Sequence, residues 1–368
     1  MAHNLYNSLR ILIPTIFLLA FSCNVYMINA KHKSKLRGMF VFGSSVVDNG
    51  NNNNNKIGRG NYLPYGIDYP KGPTGRFSNG KNVADQIAEQ LHLPPSTPFL
   101  VIRNHRSKYF NRSGIVPGVN FAAGASGILQ ETSVLTGVKS MGQQIKNFKN
   151  LILPQLERHL DSSSENILSD YLFMVAAGNN DYSYYHVLHQ DLIWNKLVFA
   201  AKLVSNYFGE IKTLYNVGAR KFLLLSVYPV GCNPVLTKHG KHGKCIHKLN
   251  QAVDLYYEQL VLMVMQGQQD MPDAQFCVVN SAKIILNTFK SANKTGFTNI
   301  HSPCCETTES GTCKKGGKVC PNRKEYFYYD GLHLTEAASR IIAARTYHST
   351  DDFEVYPKNL KHLVANKD

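Results

Sequence analysis

Past residue 30 the sequence has no apolar run approaching the roughly 18 residues that a membrane-crossing helix needs, which excludes a later helical span. Acidic side chains are sparse, 25 Asp and Glu against 40 Lys and Arg, for a formal net charge of +15. That excess does not form the aromatic-interleaved stripe of a nucleic-acid binder, so no nucleic-acid partner is expected. It sits in short clusters, Lys31 to Arg37, Arg103 to Lys108, Lys238 to Lys244 and Lys314 to Lys318. In an exported protein such clusters suit an acidic cell-wall polysaccharide or an anionic lipid surface, and otherwise solvated loop charge. Paired C-x-x-C spacing is missing, which argues against a metal site built from His239, His242, Cys245 and His247 with Cys304, Cys305, Cys313 and Cys320. No internal repeat and no linker is present, so a single domain over residues 31–368 is the economical expectation.

What is present is a chain of 368 residues, 43% hydrophobic and only 18% charged, too apolar for general disorder. Residues 1–30 read as a secretory leader: Arg10 precedes the apolar run Ile11 to Phe21, and the small Ala30 stands where cleavage would fall. A signal anchor is the competing reading, and Pro14, Ser22 and Asn24 make a poor spanning helix. Of eight cysteines Cys23 falls in the leader, and the remainder suffice for three bridges and one free thiol in an oxidising compartment. Cys232 with Cys245, and pairs within Cys304, Cys305, Cys313 and Cys320, are the bridge candidates, while Cys277, inside the short apolar run 275–279, is the buried free one. Asn111 and Asn293 head N-x-S/T sequons that export would expose to glycosylation.

Five short apolar runs, Met39 to Phe42, Val119 to Ala122, Tyr171 to Ala177, Phe222 to Val227 and Phe276 to Val279, alternate with longer amphipathic segments. That alternation predicts a three-layer α/β/α sandwich around a mainly parallel five-stranded sheet. Apolar residues three and four apart predict helices over Leu192 to Val217 and His247 to Gln266, with others at Val83 to Leu91 and Glu336 to Tyr347. The Asn49 to Asn55 stretch reads as turn-forming and residues 58–80 as an extended loop.

Ligands of open parallel sheets bind at the carboxyl ends of the strands, so the residues closing each run carry the interest. The first run closes in Gly43-Ser44-Ser45, the second reaches Gly124, and the third closes in Gly178-Asn179-Asn180-Asp181. Acyl transfer needs a hydroxyl nucleophile and hydrogen-bond donors for a developing oxyanion, which Ser45, a glycine N–H and a carboxamide would supply. Near the other end, Asp330-Gly331-Leu332-His333 precedes Thr335, a candidate N-cap. An Asp and a His on such a turn can pair, fixing the imidazole tautomer and leaving its second nitrogen to take a serine proton. Each element alone is commonplace turn chemistry; the four together are a much stronger signal for acyl transfer.

These blocks resemble the plant GDSL esterase/lipase family, a branch of the SGNH hydrolases. Phe40 to Gly50 resembles its first block, Val119 to Gly124 its second, Gly178 to Asp181 its third and Tyr329 to Ala338 its last, with lesser echoes at Gly218 to Phe222, Pro229 to Cys232 and Cys304-Cys305. The resemblance runs from about Gly38 to His348 and implies an SGNH, flavodoxin-like fold. It further implies Ser45 as nucleophile, His333 as general base, Asp330 as its orienter, and an oxyanion hole of the Ser45 N–H, the Gly124 N–H and the Asn180 side chain. A small-molecule or lipid ester would be the substrate, with no cofactor and no metal. Two positions depart from the family pattern: Ser44 stands where the family has Asp, and Leu334 where proline commonly follows the histidine. An acyltransferase would use the same residues, and a catalytically weak or inactive wall-binding protein would keep the same fold.

Overall fold

The computed structural model describes residues 36–365 apart from 56, 105–115, 135, 161, 164–166, 189–194 and 239–243. The expected leader, Cys23, Asn111, His239 and His242 lie outside the described residues.

All five predicted runs are strands: β1 Gly38–Gly43, β3 Val119–Asn120, β4 Tyr171–Ala176, β5 Lys221–Leu225 and β6 Gln275–Val279. The sheet is wider than expected by two edge strands of two residues each, β2 Thr97–Pro98 and β9 Val355–Tyr356. Neither carries an apolar run, and each lies next to or contains proline, which a sheet tolerates at its edges. The order is β2-β3-β1-β4-β5-β6-β9, parallel throughout except for β9 against β6. Numbered by the five predicted runs, this is 2-1-3-4-5, the flavodoxin-like order. The chain reverses direction across the sheet between β1 and β4, which opens the ligand crevice at their carboxyl ends. A separate parallel pair, β7 Asn299–Pro303 and β8 Tyr326–Tyr328, lies further along the chain.

Both faces of the sheet are covered, which explains runs of continuous rather than alternating apolar character. Along β1, Phe40 and Phe42 enter one core with the helices Lys196–Asn216 and His247–Gly267, while Met39 and Val41 enter the other with Val83–Gln90 and Glu336–His348. Phe40, Phe173, Phe222 and Phe276 form a row across four strands, with ring centroids 5.4, 6.0 and 5.3 Å apart. Each fully buried ring contributes about 2 kcal/mol through burial alone. The four predicted helices are present at these bounds to within a few residues, residues 192–194 lying outside the described set. Periodicity missed Met141–Asn147, which passes through a π turn at Phe148–Ile152 into Leu153–Leu160, and the helices Asn179–Leu188 and Ser281–Lys290.

Cys232–Cys245, Cys304–Cys320 and Cys305–Cys313 are disulfides, and Cys277 is free and buried, its thiol pushed up by desolvation. Cys245, Cys304, Cys305, Cys313 and Cys320 are therefore spent as bridges rather than open as thiolate ligands. Among the described residues no helix is long and apolar enough to cross a membrane. Asn293 lies exposed on the short helix Ala292–Thr295.

Candidate active site

Gly43 ends β1 with φ +137°, where a Cβ would lie 2.1 Å from the Ala176 carbonyl oxygen. Only glycine fits, and it lets the chain leave the sheet sharply. Ser44 and Ser45 follow in a turn closed by the Val47 N–H on the Ser44 carbonyl at 3.1 Å. Ser45 and His333, 288 positions apart, meet there: Nε2 of His333 is 2.8 Å from Ser45 Oγ. The other ring nitrogen, Nδ1, is 2.8 Å from Oδ2 and 3.0 Å from Oδ1 of Asp330. All three side chains are buried, Asp330 completely.

The Asp330 turn holds itself in shape, because Oδ1 accepts both the Leu332 and the His333 N–H at 2.7 Å. Thr335 then caps the helix Glu336–His348 by accepting from the Ala338 N–H at 3.2 Å. Burial alone would push the Asp330 carboxyl up; the adjoining His333 and the hydrogen bonds from His333, Tyr65 and Leu332 outweigh it and hold the carboxyl below its ordinary value. An ionised Asp330 is acceptor-only, so Nδ1 donates and Nε2 is left to accept the Ser45 O–H. Phe77 stacks on the imidazole with centroids 4.7 Å apart.

Asn180 reaches the same cleft at the end of β4, with Nδ2 donating to the Ser126 carbonyl at 2.8 Å. Its neighbours secure it. Asn179 Oδ1 accepts the Tyr228 N–H, and buried Asp181 accepts from the Ile128 N–H, the Leu129 N–H and the Thr132 hydroxyl. Gly124 is also brought to this rim, but its N–H donates to Asp48 Oδ2 at 2.8 Å. The next residue, Ala125, has a left-handed φ of +65°, lines the cleft with Ser45, and has no acceptor for its N–H among the described residues.

Several supporting groups escaped sequence reasoning. Asp48, three residues after Ser45, accepts the Gly50, Asn51 and Gly124 N–H groups and so ties the Ser45 turn to the end of β3. Desolvation pushes its carboxyl up to about 6 against those donors. The asparagine stretch read as a simple turn is polar lacing: Asn51 Nδ2 donates to the Asn120 and Ala122 carbonyls, and Asn52 Nδ2 to those of Gly58 and Gly124. Adjacent Asn donors were visible in the sequence, but apart from Gly58 their partners lie 69 to 72 residues away. Of the two departures, Ser44 is buried with its hydroxyl unpartnered, and Leu334 is buried with no described acceptor on its N–H, so replacing proline there adds no bond.

The cleft over these groups holds about 840 Å³. Ser45, Asn180 and His333 line it together with the apolar side chains of Ile57, Val235, Leu236 and Leu332.

Comparison with known proteins converges on one family. The profile described as GDSL-like Lipase/Acylhydrolase matches residues 39–346. The GDSL esterase/lipase At1g29660 of Arabidopsis thaliana is 34% identical over 339 residues, 88% of this chain and 90% of that protein. The GDSL esterase/lipase At1g29670 of the same plant is 34% identical over 94% of this chain and 96% of its own length, and At2g19050 is 35% identical over 84% and 86%.

Proposed function

This chain belongs to the GDSL-like lipase/acylhydrolase family, and from that premise we propose that it is a serine carboxylic ester hydrolase with Ser45 as nucleophile, His333 as general base and Asp330 as its orienter. The observation carrying the reading is the continuous contact from Ser45 Oγ through His333 to Asp330, at 2.8 Å on each side of the ring. In the proposed cycle Ser45 Oγ attacks the ester carbonyl as its proton passes to His333 Nε2. The ester C–O bond then breaks, His333 returns the proton to the leaving alkoxide, and an alcohol departs. Water repeats the sequence on the acyl-enzyme, releasing the acid and restoring Ser45.

For the oxyanion we propose the Ser45 N–H, the second hydrogen of Asn180 Nδ2, and the Ala125 N–H. Gly124, which the family resemblance implied, already gives its N–H to Asp48, so its proposed part is to brace the rim. An apolar cleft wall beside polar reacting groups supports lipid or acylated wall esters as substrates. The proposed setting is extracellular, after removal of residues 1–30; three disulfides support it because they persist in oxidising compartments. The net charge, +14 once Arg10 leaves with residues 1–30, supports attraction to an acidic wall polysaccharide there.

The test is Ser45→Ala against p-nitrophenyl esters of increasing acyl length, with an organophosphonate probe on the wild type. Expected are loss of turnover in a folded variant and covalent labelling of wild-type Ser45 alone. Hydrolysis that survives the substitution would refute the assignment. Product analysis with an added alcohol separates hydrolysis from acyl transfer.

A further inference from the structure

Beneath the triad a small third core holds Tyr65, Phe77, Tyr329 and the bridged Cys305 and Cys313. Tyr65 is wholly buried at its centre, 265 positions from Asp330. Its hydroxyl oxygen is 2.5 Å from Asp330 Oδ2 and also accepts the Cys313 N–H at 3.0 Å. A phenol has one proton and two lone pairs. Because Cys313 donates to it, and the carboxylate can only accept, the Tyr65 proton points at Asp330. Burial and the neighbouring Asp330 push the phenol well above its ordinary range, so it stays a donor at any working pH.

Building on the triad reading, we infer that Tyr65 is a positioning residue: its hydroxyl fixes Oδ2 of Asp330 so that the carboxylate stays in the plane His333 Nδ1 requires. Asp330 Oδ1 is already pinned by two backbone N–H groups of its own turn. Among the described residues Oδ2 has His333 and Tyr65 as partners, and without Tyr65 the imidazole itself would be its one tether there. The ring acts on the base as well, since Tyr65 packs edge-on against Phe77 at 5.5 Å and Phe77 stacks on His333. The tyrosine thereby braces orienter and base from one buried point, anchored on an amide that the Cys305–Cys313 bridge holds. Removing the hydroxyl also leaves Asp330 with more charge to offer His333, which would favour the base; misorientation is the larger effect, because small displacements of catalytic groups cost up to about a hundredfold in rate.

Tyr65→Phe keeps the ring and deletes only the hydroxyl. The expected result is a fall in kcat of about tenfold or more, with KM within about twofold and thermal unfolding still cooperative. The discriminating measurement is the cycle with Asp330→Asn: once Asp330 is neutral, deleting the Tyr65 hydroxyl should cost almost nothing further. Wild-type kcat in Tyr65→Phe, or an equal loss in both backgrounds, overturns the inference. Loss of activity in Ser45→Ala together with either result would sink the role of Tyr65 and leave the triad standing. If Tyr65→Phe does not fold, a crystal structure of the wild-type enzyme decides: a Tyr65 oxygen turned away from Asp330 Oδ2 overturns the inference, and one within hydrogen-bond distance supports it.

Discussion

Gln144 grips Gly43 with both ends of its carboxamide, Oε1 accepting the Gly43 N–H at 2.8 Å and Nε2 donating to the Gly43 carbonyl at 2.9 Å. The same Nε2 also reaches Ser126 Oγ at 2.9 Å, so one buried side chain on the helix Met141–Asn147 fixes the end of β1 and the loop that carries the Asn180 contact. Gln144→Leu keeps roughly the volume and strands the Gly43 N–H. The expected cost is about 2–4 kcal/mol of stability, from unsatisfied buried groups, and about tenfold in kcat/KM through Ser45, two residues away. Urea unfolding and ester kinetics check both; a variant matching wild type in each would show that the grip is dispensable.

Stability should depend on pH through two carboxyls beneath the cleft. Burial pushes Asp48 and Asp181 up to about 6, against the hydrogen bonds each accepts, from an ordinary value of 3.8. Between these values the folded chain holds protons that the unfolded chain has lost, so stability falls as pH rises from about 4 through 6. Asp330 works in the opposite sense: its lowered carboxyl contributes stability above 3.8 that is lost on acidification. Asp181→Asn removes one titration and should flatten the loss between pH 4 and 7 by up to about 3 kcal/mol. Urea midpoints for wild type and variant at pH 4.5 and 7 give the answer, and parallel pH dependences would contradict it.

Ser44 is the family departure nearest the chemistry, and its hydroxyl is buried without a partner among the described residues. Its backbone N–H is the part in use, donating to the Ala176 carbonyl at 3.0 Å. Ser44→Ala should therefore be neutral in activity and neutral to about 1 kcal/mol stabilising, since a buried hydroxyl without a protein partner is removed. A tenfold loss of kcat/KM in a folded Ser44→Ala variant would mean that the hydroxyl engages during turnover.

The parts of this molecule that were legible in its sequence are those written in local pattern. Runs such as Phe222 to Val227 are apolar on both faces and can only be interior strands, and the step of three from Asp330 to His333 is a turn whose closure depends on neighbours alone. Edge strands of two residues have no period to read, and Asn179–Leu188 is a helix whose polar start reads as a turn. Long-range partnerships were closed to local reading for a different reason. Asp48 could be seen as an acid near Ser45, but that it would claim the Gly124 N–H is decided by how β3 docks beside β1. Likewise Gln144 is an ordinary helix residue until the helix packs on the end of β1, about a hundred positions earlier in the chain.

The Cys305–Cys313 bridge closes a span of only eight residues, yet it lies where the Asp330 turn is held. Within that span the Gly311 carbonyl accepts the Gly331 N–H at 2.7 Å, one residue from Asp330, and the Cys313 carbonyl accepts the Tyr62 hydroxyl at 2.9 Å. In the chain-entropy account a loop this short contributes about 2–3 kcal/mol. Replacing both cysteines with serine should lower stability by that order, which a domain of this size survives. Activity should fall further than unfolding explains, because the loop supplies hydrogen-bond partners to the Asp330 turn. The measurement is kcat/KM well below the variant's own unfolding transition, where circular dichroism shows the folded state. A loss of about tenfold there means that the bridge acts by holding the site; full activity in the folded variant would mean that the turn keeps its shape through Asp330 Oδ1 alone.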